Sequence, residues 1–301
     1  VSTLLPPTPL GRITTETAEQ YHGQPCVSAS KLRTFNRDPG GPYLYYLTHI
    51  AKAIPKEDSS GFAPGRACHT GLFEPHKFEA EFAVVPEGID RRTNVGKAAW
   101  GAFLAASKGK TILEADDLKT AQTVTTNCRS HRSVAQLIAK GEAETTWRII
   151  AAGLPGLPPL QCRTDWFCEE GCELSQGRPY IVDLKTCATL DRGEYGNFFR
   201  GAKDHAYDVQ FGLYMAILGA CGVEVRDFFV VAAEKSVPHG VEVYRMSDKA
   251  IEEGQRKAER LLVALAECYK TNTWPNTEGG VLELTAATFK YGRNGAEDAF
   301  Q

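Results

Sequence analysis

The run Pro179-Tyr180-Ile181-Val182-Asp183-Leu184-Lys185-Thr186-Cys187 sets one acid and one base in an otherwise apolar segment. Its β-branched and aromatic residues, with Gly177 just upstream, predict a buried strand. Side chains alternate along a strand, so Asp183 and Lys185 share one face while Val182 and Leu184 share the other. A carboxylate and an ammonium on such a strand are costly to desolvate unless something uses them. An edge-strand ion pair is the plain alternative to a catalytic role. The preceding run, Pro159 to Cys168, is a second apolar, β-prone segment with a single acid, Asp165. Between them, Glu169 to Arg178 carries Gly171, Gly177 and several charges, which is turn chemistry. An antiparallel hairpin is therefore expected, with Asp165 beside Asp183 and Lys185 one pleat further on. Two carboxylates and a lysine are the parts needed to hold a hard divalent cation and activate a water.

The 301 residues are 43% hydrophobic and 24% charged, which supports a globular chain with a sizeable core. No apolar run approaches the roughly 20 residues of a membrane span, and Val1 to Leu10 shows no basic stretch ahead of an apolar core. A formal net charge of −3 excludes a generally basic nucleic-acid coat, so any DNA contact must be confined to a groove with metal offsetting phosphate repulsion. The nine cysteines are odd in number and scattered, the pattern of a cytoplasmic protein without a disulfide framework. Cys162, Cys168 and Cys172 cluster locally but lack the spacing and the fourth ligand of a zinc site.

Along the chain, Val1 to Gln24 lacks periodicity and is expected as an extended arm (residues 1–24). Ser28 or Ser30 caps a short helix broken at Asp38-Pro39-Gly40-Gly41-Pro42, and Tyr43 to Ile50 forms a second. Lys52 to Gly61 is expected to be mobile. Gly65, Ala67 and Gly71 flank His69 on a helix able to pack closely, and a lone histidine there reads equally as a satisfied core residue. Arg91 and Arg92 sit in a basic loop entering a helix, either a solvated connector or a phosphate-contacting loop. Glu114 to Lys140 reads as two helices. Glu142 to Ile150 reads as a strand, with Glu144 alternating onto the face of Thr146 and Arg148. Gln210 and Tyr214 are one helical turn apart in Ala206 to Ala220. Strands at Asp227–Glu234 and Val241–Met246 and a helix capped by Ser247 follow, and residues 276–301 form a tail without readable pattern.

Thr164-Asp165 followed by Asp183-Leu184-Lys185 resembles the PD-(D/E)XK nuclease signature, with threonine at the usual proline. Gly65-x-x-x-His69, followed by Leu72-Phe73-Glu74-Pro75-x-Lys77-Phe78, and the Asp90-Arg91-Arg92-Thr93 run resemble RecE (exonuclease VIII)-type exonucleases. Gln210-x-x-x-Tyr214 is similar to a RecB-like element. The resemblance spans about Val27 to Pro275, and implies an α/β (α+β) fold: a restriction-endonuclease-like core with a mixed central sheet flanked by helices, plus helical N-terminal additions. One exonuclease domain over residues 25–275 is thus expected. The resemblance further implies that His69, Asp165, Asp183 and the Leu184 carbonyl hold Mg2+, with Mn2+ able to substitute, and that Lys185 orients or deprotonates the attacking water. It also implies that Glu144 is a third carboxylate, a solvent-facing glutamate at the strand start being the equal alternative, that Gln210 and Tyr214 position Lys185 or substrate, and that Arg91, Arg92 and Arg163 are candidates to hold the phosphate at a DNA end. No iron–sulfur cluster is expected, because the C-terminal cysteines that build it in some relatives are missing. The activity implied is degradation of one strand of linear double-stranded DNA, 5′ to 3′, by a ring-shaped homo-oligomer working beside a RecT-like single-strand annealing protein. A structure-selective endonuclease on the same core, or a non-catalytic nucleic-acid-binding module, are the alternative readings.

Overall fold

The computed structural model describes residues 7–54, 63–191 and 197–277. In chain order the first elements are β1 (Pro7–Ile13), α1 (Ala18–Gly23), α2 (Ala29–Phe35) and α3 (Gly41–Tyr45), the last running into a π-helical turn (Tyr46–Ile50). Next come α4 (Ala63–Phe73), α5 (Phe78–Glu81), β2 (Phe82–Val84), α6 (Asn94–Ala106), β3 (Thr111–Leu113), α7 (Ala115–Ser130) and α8 (Arg132–Leu137). The second half follows as β4 (Glu142–Ala151), β5 (Leu160–Cys168), β6 (Tyr180–Cys187), α9 (Asn197–Asp204), α10 (Tyr207–Ala220), β7 (Asp227–Glu234), β8 (Val241–Arg245) and α11 (Asp248–Thr271).

Six strands form one mixed sheet in the order β1-β4-β5-β6-β7-β8, and β2 and β3 pair separately. Only β6 and β7 run parallel within the large sheet, joined by a crossover through α9 and α10. The expected hairpin is present: β5 and β6 are antiparallel, with Trp166 opposite Val182 and Phe167 opposite Ile181. Tyr180, Val182 and Leu184 pack into a cluster with α4, α7 and α8. Ile181 and Cys187 pack on the opposite face with α2, α10 and α11. The period-two pattern of β6 thus sends Asp183 and Lys185 toward α10, between two layers of helix.

Residues 7–23, expected to belong to an extended arm, are instead built into the domain. β1 pairs antiparallel with β4, with an irregularity between Pro9 and Gly11, and so covers what would be an open edge. Proline is tolerated there because an edge strand leaves one row of N–H groups unpaired. Thr17 caps α1 through a capping box with Gln20. The small residues of α4 act as the sequence suggests: Ala67 is fully buried, and Gly65 and Gly71 lie against Thr186 of β6 and Thr125 of α7. Most of the segment expected to be mobile (52–61) and almost all of the C-terminal tail (276–301) lie outside the described residues.

Simple alternation fails in β4. Trp147, Ile149 and Ala151 face the α10–α11 core, whereas Ala143, of the same parity, packs in the α4–α7 cluster. Between them Glu144 adopts a left-handed conformation (φ 55°). Such a backbone is strained for a non-glycine residue and is concentrated at functional sites. Here it re-aims one carboxylate.

Candidate active site

Glu144 lies opposite Asp165, between the pairs Ala143–Trp166 and Thr145–Thr164. Asp165 lies one step beyond Trp166–Val182 and hence beside Asp183. Three carboxylates therefore form one row across β4, β5 and β6. His69 of α4 meets this row from above: its Nε2 is 3.3 Å from Glu144 Oε1 and 3.3 Å from Asp165 Oδ1.

Glu144 and Asp165 are each anchored through the oxygen turned away from His69. Asp165 Oδ2 accepts the Leu184 backbone N–H at 2.9 Å. Glu144 Oε2 is paired with the Arg163 guanidinium, which also donates to the Glu16 carbonyl at 3.1 Å. The free oxygens converge on the imidazole, and one donor atom from each residue lies within 4.8 Å of the others. Burial works against protonating His69, but Asp165 and Glu144 outweigh it and raise the imidazole to about 9. Burial also acts against ionising Asp165, yet His69 and then Lys185 hold it below the ordinary carboxylate range. Burial raises Glu144. A proton on His69 therefore occupies the place where two carboxylates concentrate negative potential. One imidazole nitrogen and two carboxylate oxygens form a donor set that suits Mg2+ or Mn2+, so the residues fit a divalent metal.

Asp183 makes a second cluster. Its Oδ2 is 2.7 Å from Lys185 Nζ, and its Oδ1 accepts from Gln210 Nε2 at 2.9 Å. Gln210 closes the loop by accepting from Lys185 at 3.2 Å. Burial and the adjacent Asp165 push Asp183 up to about 6. Burial acts to lower Lys185, but Asp183 and Asp165 prevail and hold it above its ordinary value. In this arrangement Lys185 is ion-paired with Asp183 and donates to Gln210.

The expected site residues separate into three groups. His69, Glu144, Asp165, Asp183, Lys185 and Gln210 are brought together. Tyr214 is buried on α10 and borders the same cleft, as does Arg163. Arg91 and Arg92 do not line it: Arg91 sits 3.7 Å over the Trp100 ring and pairs with Glu114, and Arg92 pairs with Asp90. Asp183 is not among the three residues that converge as ligands; its Oδ1 accepts from Gln210 and its Oδ2 is ion-paired with Lys185.

Sequence reasoning missed several residues. Arg66 precedes His69 by one turn on α4, lines the cleft and has no ion pair among the described residues. Tyr207 lies one turn before Gln210, its ring 4.9 Å from Lys185 Nζ. Both spacings were readable as i,i+3 pairs. Glu16 had no such signal, since it enters only through Arg148 and Arg163, far along the chain. The cleft itself, about 640 Å³, is bordered by α1, α2, α4 and the ends of β4 and β5.

A mixed sheet bearing Asp165, Asp183 and Lys185 on adjacent strands, flanked by helices on both faces, defines the fold as that of the PD-(D/E)XK nuclease superfamily. The chain belongs to the family described as "PDDEXK-like domain of unknown function (DUF3799)", whose model matches residues 28–286. Among solved structures, a candidate exonuclease from Eubacterium rectale superposes with a TM-score of 0.58 at 14% identity, over 91% of this chain and 96% of that one. That likeness is one of fold. No curated protein matches the chain. Among the described residues no helix is long and apolar enough to cross a membrane.

Proposed function

We propose that this protein is a metal-dependent exodeoxyribonuclease that hydrolyses one strand of linear duplex DNA, from the 5′ end, leaving 3′ single-stranded tails. The observation that carries the reading is the convergence of His69, Glu144 and Asp165 beside the Lys185–Asp183–Gln210 cluster. A bound Mg2+ or Mn2+ would be held by those first three residues, and would supply a water of lowered pKa and neutralise charge on the phosphate. The chain's own groups do the rest. Lys185, held as an ammonium, donates toward a phosphate oxygen or the attacking water, where charge develops in the transition state. Gln210 fixes the Lys185 rotamer, and Arg163 fixes Glu144. Arg66, on the cleft wall, offers a cationic partner for a flanking phosphate.

A cleft of about 640 Å³ falls in the range that takes a small molecule, which favours a frayed strand end over intact duplex. The family resemblance and the Eubacterium rectale fold likeness point the same way. The 5′ polarity, the ring-shaped homo-oligomer, the RecT-like annealing partner and a cytoplasmic role in recombination rest on the RecE-type resemblance alone.

The test uses linear duplex labelled at either end, with Mg2+, against a covalently closed circle, in wild type and Lys185→Ala. Loss of the linear substrate alone, abolished by the substitution and by chelator, is the expected result, and the label reports polarity. Cleavage of the circle would replace the exonuclease with an endonuclease. No digestion of either would leave a binding fold.

A further inference from the structure

A second cavity, about 820 Å³, lies between α9, the N-terminal half of α10, β8 and α11. It shares a wall with the active-site cleft. At the α9–α10 junction His205 borders the cleft, while Ala206 and Tyr207 border the cavity. Tyr207 is the link, since the ring that lines the cavity also lies 4.9 Å from Lys185 Nζ.

The lining has two chemistries. One is a chain of aromatic rings running away from the catalytic lysine: Tyr207 meets Phe198 at 6.4 Å, Phe198 stacks on Tyr244 at 5.1 Å and 8°, and Tyr244 meets Phe199 edge-on at 5.7 Å. Phe199 is 41% exposed and so presents its ring at the cavity mouth. The other is cationic: Lys203, Arg245, Lys257 and Arg260 line the cavity against one acid, Asp208, which is already paired with Lys257. The side chains of Lys203 and Arg260 have no ion pair or hydrogen bond among the described residues. An apolar partner face would not need unpaired cations at its rim, and a purely electrostatic DNA surface would not need an exposed ring.

We infer that this cavity is a single-stranded DNA subsite, in which bases beside the scissile phosphate stack on Phe199 and Tyr244 while Lys203 and Arg260 meet the adjoining phosphates. Aromatic rings interleaved with cations are the arrangement that binds single strands without sequence preference. Tyr207, whose ring lies 4.9 Å from Lys185 Nζ, sets the base platform next to the catalytic lysine. The inference rests on the nuclease reading for its geometry, because it is the reacting strand that is continued into the cavity.

The test separates the two. Binding of a fluorescent oligothymidylate is measured by anisotropy in the Lys185→Ala background, alone and with Phe199→Ala or with Lys203→Gln and Arg260→Gln. Hydrolysis of bis-p-nitrophenyl phosphate, which has no second nucleotide to place in the cavity, is measured for the same substitutions in the otherwise wild-type chain. Phe199→Ala is expected to weaken the oligonucleotide by about 10-fold or more, as loss of one stacked base does. The charge-removing pair should reduce the salt dependence of binding, and hydrolysis of the small ester should be unchanged. Unaltered oligonucleotide affinity in both variants overturns the subsite and leaves the hydrolytic reading standing. Oligonucleotide binding that needs Phe199 in a protein inactive on every ester would support the subsite and overturn the hydrolytic reading. Phe199, Lys203 and Arg260 are exposed, so a thermal transition unchanged from that of the matching parent chain verifies folding.

Discussion

Gln210 donates from Nε2 to Asp183 Oδ1 at 2.9 Å, and its own oxygen accepts from Lys185 at 3.2 Å. A single amide thus fixes both members of the Asp-x-Lys pair, supplying a donor to one and an acceptor to the other. Gln210→Glu retains the acceptor but sets a second carboxylate against Asp183. We expect it to lower kcat by about 10–100-fold, the usual cost of losing a group that orients a site residue. The KM for DNA should move little. The loss should be smaller at low pH, where a glutamic acid can again donate. A kcat and KM measurement across pH 5.5–8 checks this, and an equal loss at every pH would count against the bridging role.

The trio and the pair predict different failures. His69, Glu144 and Asp165 converge on one point, whereas Asp183 is engaged by Lys185 and Gln210. Glu144→Gln and Asp165→Asn should each weaken Mn2+ binding by about 10–100-fold in calorimetry. Lys185→Ala should bind Mn2+ at least as well as wild type, because it removes a neighbouring cation, while losing about 10²–10³-fold or more in turnover. If Lys185→Ala lost the metal as well, the two clusters would have to be one unit.

Arg66 and Arg91 were unequal in the sequence and are unequal in the fold, in the opposite sense. Arg91 was the visible one, in a basic loop, but its guanidinium is stacked on Trp100 and paired with Glu114. Arg66 lines the catalytic cleft unpaired among the described residues. Arg66→Ala should raise the KM for DNA several-fold or more, by roughly 1–2 kcal/mol of lost charge-assisted contact. Arg91→Ala should have the smaller effect. Steady-state kinetics on one linear substrate decides between them, and the reverse order would move the phosphate path to the α6 loop.

That reversal shows where a sequence stops being readable. Asp165, Asp183 and Lys185 were legible because a strand has a period of two, and a hairpin turn fixes which residues meet. The strands from Asp227 and Val241 and the helix capped by Ser247 were legible for the same kind of local reason. His69 was placed by resemblance, not by periodicity. β1 was not legible, because Pro7-Thr8-Pro9-Leu10-Gly11 has no alternation and becomes a strand only by pairing with β4. Nor was the face switch at Glu144, a backbone conformation that nothing in Glu142-Ala143-Glu144-Thr145 announces. Glu16 and the second cavity depend on contacts between distant segments, which no local pattern encodes.

The proton on His69 makes the metal-free protein pH-sensitive. Its folded-state pKa is raised to about 9 from an ordinary 6.5. A group raised on folding contributes stability that is fully present below its unfolded value and is lost as pH rises through the folded value. The melting temperature with chelator should therefore fall between about pH 6.5 and 9. Asp183, raised to about 6, has lost its own proton-linked contribution before this window opens. With saturating Mn2+ the fall should flatten or invert, since the metal replaces the proton and binds better as His69 deprotonates. Thermal melts from pH 6 to 9.5, with and without Mn2+, give the comparison. Identical slopes in both would show that the imidazole is not where the metal competes.

The helix that carries Gln210 and Tyr214 is positioned by a backbone-to-backbone contact. A methyl group added at Gly212 of α10 would collide with the main chain of Gly254 and Gln255 on α11, and one at Gly254 would collide with Asp208 of α10. Backbone cannot rotate away as a side chain can, so relief requires the two helices to separate. Gly212→Ala should cost about 1–3 kcal/mol, the range for overpacking, despite alanine's better helix propensity. The displacement would also carry Gln210 away from Asp183, so activity per folded molecule should fall with stability. Gly219, on the same helix with open space around it, is the control: Gly219→Ala should be neutral or stabilising and leave turnover intact. Urea unfolding of the two variants, with turnover measured well below each midpoint, tests whether α10 is held by this contact. A Gly212→Ala protein of wild-type stability and activity would show that the helices meet with more room than this packing allows.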